Sequence, residues 1–215
     1  MTRVIVSDDH PLLRAGLKSI VTGHGDIEIA AEVSDGHALM KALRENSFDI
    51  VLLDLMLPGR SGLDVLKQIK QEFPRLPVII LSSHKEDIYA MRSIKAGAAG
   101  YICKDYAAET LIDAIRKVAR GGNYISAEVG ELLAREFNSP TARELPHTLL
   151  SDREYQVLLM IASGLSSSQI ASQLNVSIKT ISTHRARIKE KAKLANTSEI
   201  VRYAIAHKLI DEIDE

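Results

Sequence analysis

Three aspartates stand directly after short apolar runs, and this placement suggests chemistry with a metal ion and with phosphorus. The apolar residues 4–6 lead to Asp8 and Asp9. The apolar residues 50–53 lead to Asp54. A strand buried on both faces is a nearly continuous apolar run, so a carboxylate at its carboxyl end marks the rim of a parallel sheet. Carboxylate oxygens bind hard divalent cations, and a carboxylate beside such a cation can attack phosphorus.

Two further polar side chains follow apolar runs in the same way. Ser82 follows residues 78–81, and Lys104 follows a run that ends at Cys103. In a single parallel sheet these groups face one rim, where the ligands of open α/β sheets bind. The Ser82 hydroxyl can donate a hydrogen bond to a phosphoryl oxygen. Lys104 is a cation that can pair with a carboxylate or with a phosphoryl oxygen.

The acidic groups at this rim are predicted to bind one divalent cation, Mg²⁺ or Mn²⁺. Asp9 and Asp54 are expected to bind through oxygen and Asp8 through water, while Met56 contributes its backbone carbonyl. Taken alone, each acid is better explained as a loop residue or a helix cap than as a metal ligand. The five polar groups at four strand ends favour a shared site instead. His10 has no second histidine at ligand spacing and is interpreted as a solvent-facing residue at a helix start.

Short apolar runs alternate with helical patterns through the first half of the chain, which predicts an α/β doubly wound, five-stranded parallel sheet. The predicted strands are 4–6, 27–33, 50–53, 78–81 and 100–102, and the predicted helices are 12–21, 37–45, 62–72, 87–96 and 107–119. This domain is predicted to span residues 1–120. Its site lies at the carboxyl ends of the strands.

The second half has no strand pattern. Residues 121–148 are predicted to be a linker that can include a short helix at 127–137, and an all-α domain is predicted over 149–210, before an acidic tail at 211–215. The four predicted helices of that domain are 152–163, 167–174, 178–192 and 198–207. Residues 149–210 hold nine Lys and Arg against four Asp and Glu, an excess that suits a polyanionic partner.

A short turn between two helices, the second of them basic, predicts a helix-turn-helix that places the second helix in the major groove of double-stranded DNA. On that helix Ile181, Ile188 and Ala192 share one side and are expected to face the core. The predicted DNA-binding residues are Lys179, Thr180, Ser182, Thr183, His184, Arg185 and Arg187. The three cations are assigned to phosphates, and Ser182, Thr183 and Ala186 lie nearest the base edges. Two roles are equally compatible with His184: its side chain contacts a phosphate, or it packs against the protein.

The cysteine content and the apolar segments indicate the cellular compartment. The chain of 215 residues carries net charge −1 and a single cysteine, Cys103, which excludes an internal disulfide and fits a reducing environment. No apolar stretch approaches a membrane span, and the sequence opens on a strand without a signal peptide. A cytoplasmic protein with no membrane partner is expected.

The order and spacing of the first set of motifs resemble the receiver domain of two-component response regulators. The resemblance rests on Ser7-Asp8-Asp9-His10, on Asp54 followed by Pro58 and Gly62, on Ser82-Ser83 and on Lys104. It implies a flavodoxin-like fold, and it implies that Asp54 accepts phosphate from a histidine kinase. It also implies that Ser82 and Tyr101 relay the change, although Tyr101 suits the core equally well.

The second half is similar to the LuxR/NarL-type (FixJ-like) DNA-binding domain over residues 149–210. Residues 150–154, 162–164 and 179–184 carry the similarity. Ser168 and Ser182 stand where that family often has cations, and Ala192 replaces a usual leucine, so the target sequence is not predicted. The resemblance implies that the last helix pairs two copies on DNA. Its apolar residues, which would serve packing within one chain equally well, are Ile200, Val201, Ala204 and Ile205.

Together these features predict a response regulator and transcription factor in which phosphorylation of Asp54 controls dimerisation and sequence-specific DNA binding. The expected partners are DNA, a histidine kinase, a second copy of the chain and RNA polymerase. No enzymatic activity beyond self-dephosphorylation is expected. An enzyme with an aspartyl-phosphate intermediate is one alternative, and Met56 argues against it because such enzymes place a second acid there. A regulator that works without phosphate is another, and the complete set of site residues argues against it.

Overall fold

The computed structural model describes residues 1–83, 88–104, 108–138, 145–207 and 209–210. The chain forms two compact units, Met1–Pro140 and Thr141–Glu215, and each is described by itself. Parts of three predicted features and the whole of a fourth lie outside the described residues. They are the first residue of the helices predicted over 87–96 and 107–119, residues 139–144 of the predicted linker, and the whole acidic tail 211–215.

The first unit is built on five strands: β1 Thr2–Ser7, β2 Ile27–Val33, β3 Ile50–Asp54, β4 Val78–Ser82 and β5 Gly100–Cys103. They lie in the order β2-β1-β3-β4-β5, and every neighbouring pair is parallel. The predicted doubly wound parallel sheet is therefore confirmed. The chain moves from β1 to one side and later crosses to the other, so the switch in strand order falls between β1 and β3. This is the place where such sheets bind ligands.

In the described part of this unit six helices accompany the strands: α1 Pro11–Thr22, α2 Gly36–Glu45, α3 Gly62–Glu72, α4 Ile88–Lys95, α5 Ala108–Ala119 and α6 Ala127–Asn138. Every residue of β3 and β4 is buried, as expected for strands covered on both faces. On one face Val6 and Leu52 pack with Ile115 of α5 in a single apolar core. Because side chains alternate along a strand, Ile5 and Leu53 face the opposite helices.

Part of the segment predicted as a linker pairs with the sheet. Tyr124 forms a parallel bridge with Gly100 at the outer edge of β5. The Tyr124 amide donates to the Ala99 carbonyl at 2.8 Å, and the Tyr101 amide donates to the Tyr124 carbonyl at 3.2 Å. A side chain at Gly100 would approach the Tyr124 carbonyl at 3.0 Å, so the absence of a side chain there lets the two backbones pair without a tight contact. The following helix, α6, packs on α4 within the same unit.

The described residues of the second unit form four α-helices: α7 Asp152–Ala162, α8 Ser167–Gln173, α9 Ile178–Ala192 and α10 Thr197–Ala206. They correspond to the four predicted helices. Ser151, Ser166 and Ser177 cap the first three of them by accepting backbone N–H groups. A short turn that includes Asn175 in the left-handed region joins α8 to α9. None of the helices in the described part of the chain has both the length and the apolar character needed to cross a bilayer.

A 3₁₀ helix over Pro146–Leu149 precedes α7, in a stretch whose composition predicts a linker. Its His147 is 2% exposed, and His147 Nδ1 lies 2.9 Å from the Tyr203 hydroxyl on α10. The polar, proline-punctuated composition predicts a loop, but the contact with Tyr203, 56 residues away, holds His147 in the helical core.

Candidate functional site

Four strand ends meet at one rim of the sheet. Asp8 follows β1, Asp54 is the last residue of β3, Ser82 is the last residue of β4, and Lys104 follows β5. Ser7 pairs in register with Leu53, so the two acidic strand ends are level with each other. The rim predicted from the apolar runs is therefore present, at the switch in strand order.

Lys104 joins the two buried carboxylates. Its Nζ lies 2.7 Å from Asp8 Oδ2 and 2.8 Å from Asp54 Oδ2. Both aspartate side chains are fully buried, and the Lys104 side chain is 10% exposed. Two negative charges and one positive charge thus share a poorly solvated space. The site therefore carries a net negative charge, which a divalent cation can neutralise.

Burial raises the pKa of the Asp54 carboxyl, and the nearby Asp8 charge adds to the rise. The Lys104 ammonium and the Met56 amide, which donates to Asp54 Oδ1 at 3.0 Å, oppose it. Burial alone would lower the pKa of Lys104, but the two carboxylates outweigh it and raise that pKa. A cation brought to the rim would relieve the cost of the buried carboxylate charges.

Asp8, Asp9, His10 and Asp54 each bring one possible ligand atom into a group whose members lie within 4.8 Å of one another. The Asp9 side chain is 35% exposed, so the group opens to solvent on that side. Three carboxylates form an oxygen-rich donor set that fits Mg²⁺ or Mn²⁺. His10 Nδ1 lies 2.8 Å from Asp9 Oδ1. The His10 side chain is 65% exposed, and His10 is the N-cap of α1, which is the helix-start position expected for this residue.

Three other predicted site residues lie beside this group. Ser82 and Tyr101 are buried, at 0% and 1% exposure, and Lys104 is held near Ser82 because its amide donates to the Ser82 carbonyl at 2.7 Å. Met56 directs its amide toward Asp54, whereas the predicted metal contact uses its carbonyl. The relay role of Ser82 and Tyr101 and the metal contact of Met56 stay predictions.

Two residues that support the rim are not among the predicted site residues. Arg14 donates from its guanidinium to the Asp8 carbonyl, and its Nε lies 3.4 Å from Glu32 Oε2 on β2. Gly62 begins α3 against the backbone of Asp54, leaving no room for a side chain. The signal for Arg14 is its place at the end of the opening motif of residues 8–14, which resembles the NarL/LuxR-type subfamily. The signal for Gly62 is the motif of Asp54 followed by Pro58 and Gly62, which resembles the receiver domain.

The second unit presents the predicted nucleic-acid surface on α9. Ile181, Ile188 and Ala192 are buried, which confirms the predicted core face. Of the predicted contact residues, Lys179, Ser182, Thr183 and Arg187 are exposed, and Thr180, His184 and Arg185 are half-buried. Burial lowers the pKa of His184, and the neighbouring Arg153 lowers it further. His184 is therefore mainly neutral at pH 7, and both alternatives for it, packing and phosphate contact, stay open.

Glu154 of α7 ties the recognition helix to the helical core. Its carboxylate accepts the Ser151 amide at 2.9 Å and the Lys191 ammonium of α9 at 2.7 Å. Burial alone would raise the pKa of Glu154, but the Lys191 and Ser151 hydrogen bonds outweigh it, so the net pKa is lowered from 4.5. The pair is separated by 37 residues and has no signal in the sequence.

Glu154→Gln is expected to destabilise the second unit by about 1.5 kcal/mol at pH 7, because it removes the charge of the ion pair while retaining an acceptor for Ser151. Folding lowers the pKa of the Glu154 carboxyl below its unfolded value of 4.5. The stability that the ion pair contributes is therefore fully present above pH 4.5 and is lost as the pH falls through the folded-state pKa of Glu154. Hydrogen exchange of the α7 and α9 amides at several pH values measures it. Glu190→Gln, an exposed site on α9, is the matched control and should change protection little. An equal loss in both variants, or one independent of pH, would contradict the assignment.

The comparisons with known proteins agree with this geometry. Residues 4–116 match the response regulator receiver domain, and residues 148–204 match the family of bacterial regulatory proteins, luxR family. Response regulator UvrY of Escherichia coli (strain K12) is 35% identical over 209 residues, covering 97% of this chain and 96% of UvrY. Oxygen regulatory protein NreC of Staphylococcus carnosus is 34% identical over 215 residues, covering 97% of this chain and 99% of NreC.

A solved structure is similar over both units. It is RcsB of Salmonella enterica serovar Typhimurium, bound to promoter rprA in the presence of the phosphomimetic BeF₃⁻. The TM-score is 0.64 at 25% identity, and the match covers 94% of this chain and 97% of RcsB. Both family descriptions are of regulatory proteins, which agrees with the expectation of a regulator and not an enzyme. The chain belongs to the two-component response regulators that join a receiver domain to a LuxR-type DNA-binding domain and regulate transcription.

Proposed function

We propose that Asp54 is the phosphoacceptor of this response regulator and that its phosphorylation controls DNA binding. The observation that carries the proposal is the buried Asp54 carboxylate, which lies 2.8 Å from Lys104 at a rim that also holds Asp8 and Asp9. One carboxylate oxygen attacks phosphorus, and the leaving group of the donor departs with the electrons of the broken bond. The donor in the cell is a histidine kinase, as the receiver domain implies.

The surrounding residues have separate roles in this proposal. Asp8, Asp9, Asp54 and the Met56 carbonyl hold Mg²⁺ or Mn²⁺, which when bound neutralises charge on the phosphoryl oxygens. Lys104 moves from the carboxylates of Asp8 and Asp54 toward the phosphoryl group on Asp54, because the phosphoryl group carries more negative charge. Ser82 donates to a phosphoryl oxygen, and Tyr101 follows it inward. Solvent access on the Asp9 side lets water remove the phosphoryl group, so slow self-dephosphorylation is expected.

The output is proposed to be the binding of a homodimer to double-stranded DNA through α9. Lys179, Arg185 and Arg187 contact phosphates, and Thr180, Ser182, Thr183 and His184 complete the surface. Support comes from RcsB, whose structures include two dimers bound to two parallel DNAs. RNA polymerase is the proposed further partner, and the cytoplasm is the proposed location. The proposed domain limits are 1–120 for the receiver, 121–148 for the linker and 149–210 for the DNA-binding domain, and the first part of the linker, with Tyr124 and α6, packs on the receiver.

The test compares wild-type protein with Asp54→Ala and with Asp64→Asn, an exposed acid in the first turn of α3. Each is incubated with acetyl phosphate and Mg²⁺, and intact mass and binding to duplexes selected from a random library are measured. Wild-type and Asp64→Asn protein should gain one phosphoryl group and bind DNA more tightly, by about ten-fold or more, as for an allosteric coupling above 1.4 kcal/mol. Asp54→Ala should do neither. Phosphorylation of Asp54→Ala, or a response of DNA binding in that variant, would overturn the proposal.

A further inference from the structure

The recognition helix begins with an exposed isoleucine. Ile178 is the first residue of α9 and is 53% exposed, whereas Ile181 and Ile188 on the same helix are 0% exposed. Ile178 is therefore not part of the apolar core of the second unit. It is also absent from the DNA-contact residues named above. Its flank carries Lys179, an exposed cation suited to phosphate.

Two hydroxyl groups on the turn that follows Ile178 have already used their only donor hydrogens. Ser182 Oγ donates to the Ile178 carbonyl at 3.0 Å, and Thr183 Oγ1 donates to the Lys179 carbonyl at 3.0 Å. A hydroxyl has one donor, so neither side chain offers a hydrogen to the acceptor atoms of a purine in the major groove. Reading guanine usually requires Arg or Lys in such positions. Ser182 and Thr183 are therefore poorly equipped to read guanine.

Ile178, Ser182 and Ala186 form one row, because residues four apart are neighbours on a helix surface. All three are exposed, and the row contains no cation. The row begins with the aliphatic side chain of Ile178 and ends with the methyl group of Ala186. The chemical group in the major groove that suits such a surface is the C5 methyl of thymine.

We propose that Ile178 is a specificity-determining residue that reads thymine through its C5 methyl group. The inference rests on the proposed DNA-binding function of α9 and adds the class of base that this helix selects. Ile178 contacts the methyl group, while Lys179 and Arg187 contact the phosphates that hold the helix in the groove. Truncating Ile178 therefore relaxes base preference and leaves the salt dependence of binding unchanged.

The test uses the full-length protein, treated with acetyl phosphate and Mg²⁺, and a randomised duplex library. The wild-type protein should enrich sites with thymine fixed at one or more positions. Replacing that thymine by deoxyuridine removes only the methyl group and should raise the Kd about four-fold, as expected for one buried carbon. Ile178→Ala should bind the thymine and deoxyuridine duplexes equally, and Ile178→Val should retain part of the difference.

Leu145→Ala is the matched control, because Leu145 is also an exposed aliphatic residue of this unit but lies outside α9. It should keep the full thymine preference. The inference is overturned if the wild-type protein binds deoxyuridine duplexes as tightly at every thymine, or if Ile178→Ala keeps the difference. Failure of the wild-type protein to enrich any sequence would instead overturn the proposed DNA-binding function, and the inference with it.

Discussion

Replacing Lys104 by methionine is expected to destabilise the first unit by about 3 kcal/mol at pH 7 without divalent cations, because removing one partner of a buried pair strands its charge. Lys104 lies within 2.8 Å of carboxylate oxygens of Asp8 and Asp54, both fully buried. Without the ammonium the two carboxylates repel each other, and the pKa of Asp54, already raised by burial, rises further. The measurement is calorimetric unfolding of wild-type protein and variant with and without Mg²⁺.

Added Mg²⁺ is expected to recover part of the lost stability, since a divalent cation at Asp9 and Asp54 neutralises the charge that Lys104 leaves unpaired. The variant should therefore gain more stability from Mg²⁺ than the wild-type protein gains. Lys18→Met is the control: Lys18 is 64% exposed and lies 3.5 Å from Glu32, so its loss should cost less than about 1 kcal/mol. Equal effects of the two substitutions would show that the buried ion pair does not stabilise the rim.

The meeting of Asp8, Asp54 and Lys104 is predictable from the sequence for a simple reason. Apolar runs define where strands end, and a parallel sheet brings its carboxyl ends to one edge. The face of α9 is predictable because helical periodicity alone determines it. Which carboxylate Lys104 would contact is not predictable, because that depends on side-chain torsions, and in the structure it contacts both.

Contacts between distant elements have no such signal. The ion pair of Glu154 and Lys191 depends on how α7 packs on α9. The position of Glu154 three residues after Ser151 predicts the capping box that the structure shows, but no pattern indicates Lys191 as its partner. His147 lies in a composition typical of linkers, yet its partner Tyr203 buries it. Tyr124 pairs with the edge of β5 although no strand pattern surrounds it. Periodicity describes one element at a time, and these contacts are properties of pairs of elements.

Gly62→Ala is expected to destabilise the first unit by about 3 kcal/mol, the reverse of the usual effect of alanine in a helix. Gly62 starts α3 and its backbone conformation is not in the left-handed region, so alanine is compatible with its φ angle. The obstacle is space. A side chain at Gly62 would lie 2.6 Å from Leu55 Cα and closer still to the Asp54 carbonyl oxygen, and backbone atoms cannot turn aside.

Relief of this clash must move the loop that follows Asp54, because the Gly62 amide also donates to the Leu55 carbonyl at 3.0 Å. The shift displaces the Met56 amide that holds Asp54 Oδ1, so Mg²⁺ affinity, measured by calorimetric titration, should fall together with stability. Gly16→Ala is the control, since Gly16 lies inside α1 with no atom within 4 Å of the added carbon. Alanine there should stabilise the unit by about 0.5–1 kcal/mol and leave Mg²⁺ binding unchanged. If both alanines shifted stability in the same direction, the close approach of α3 to Asp54 would not be what requires glycine.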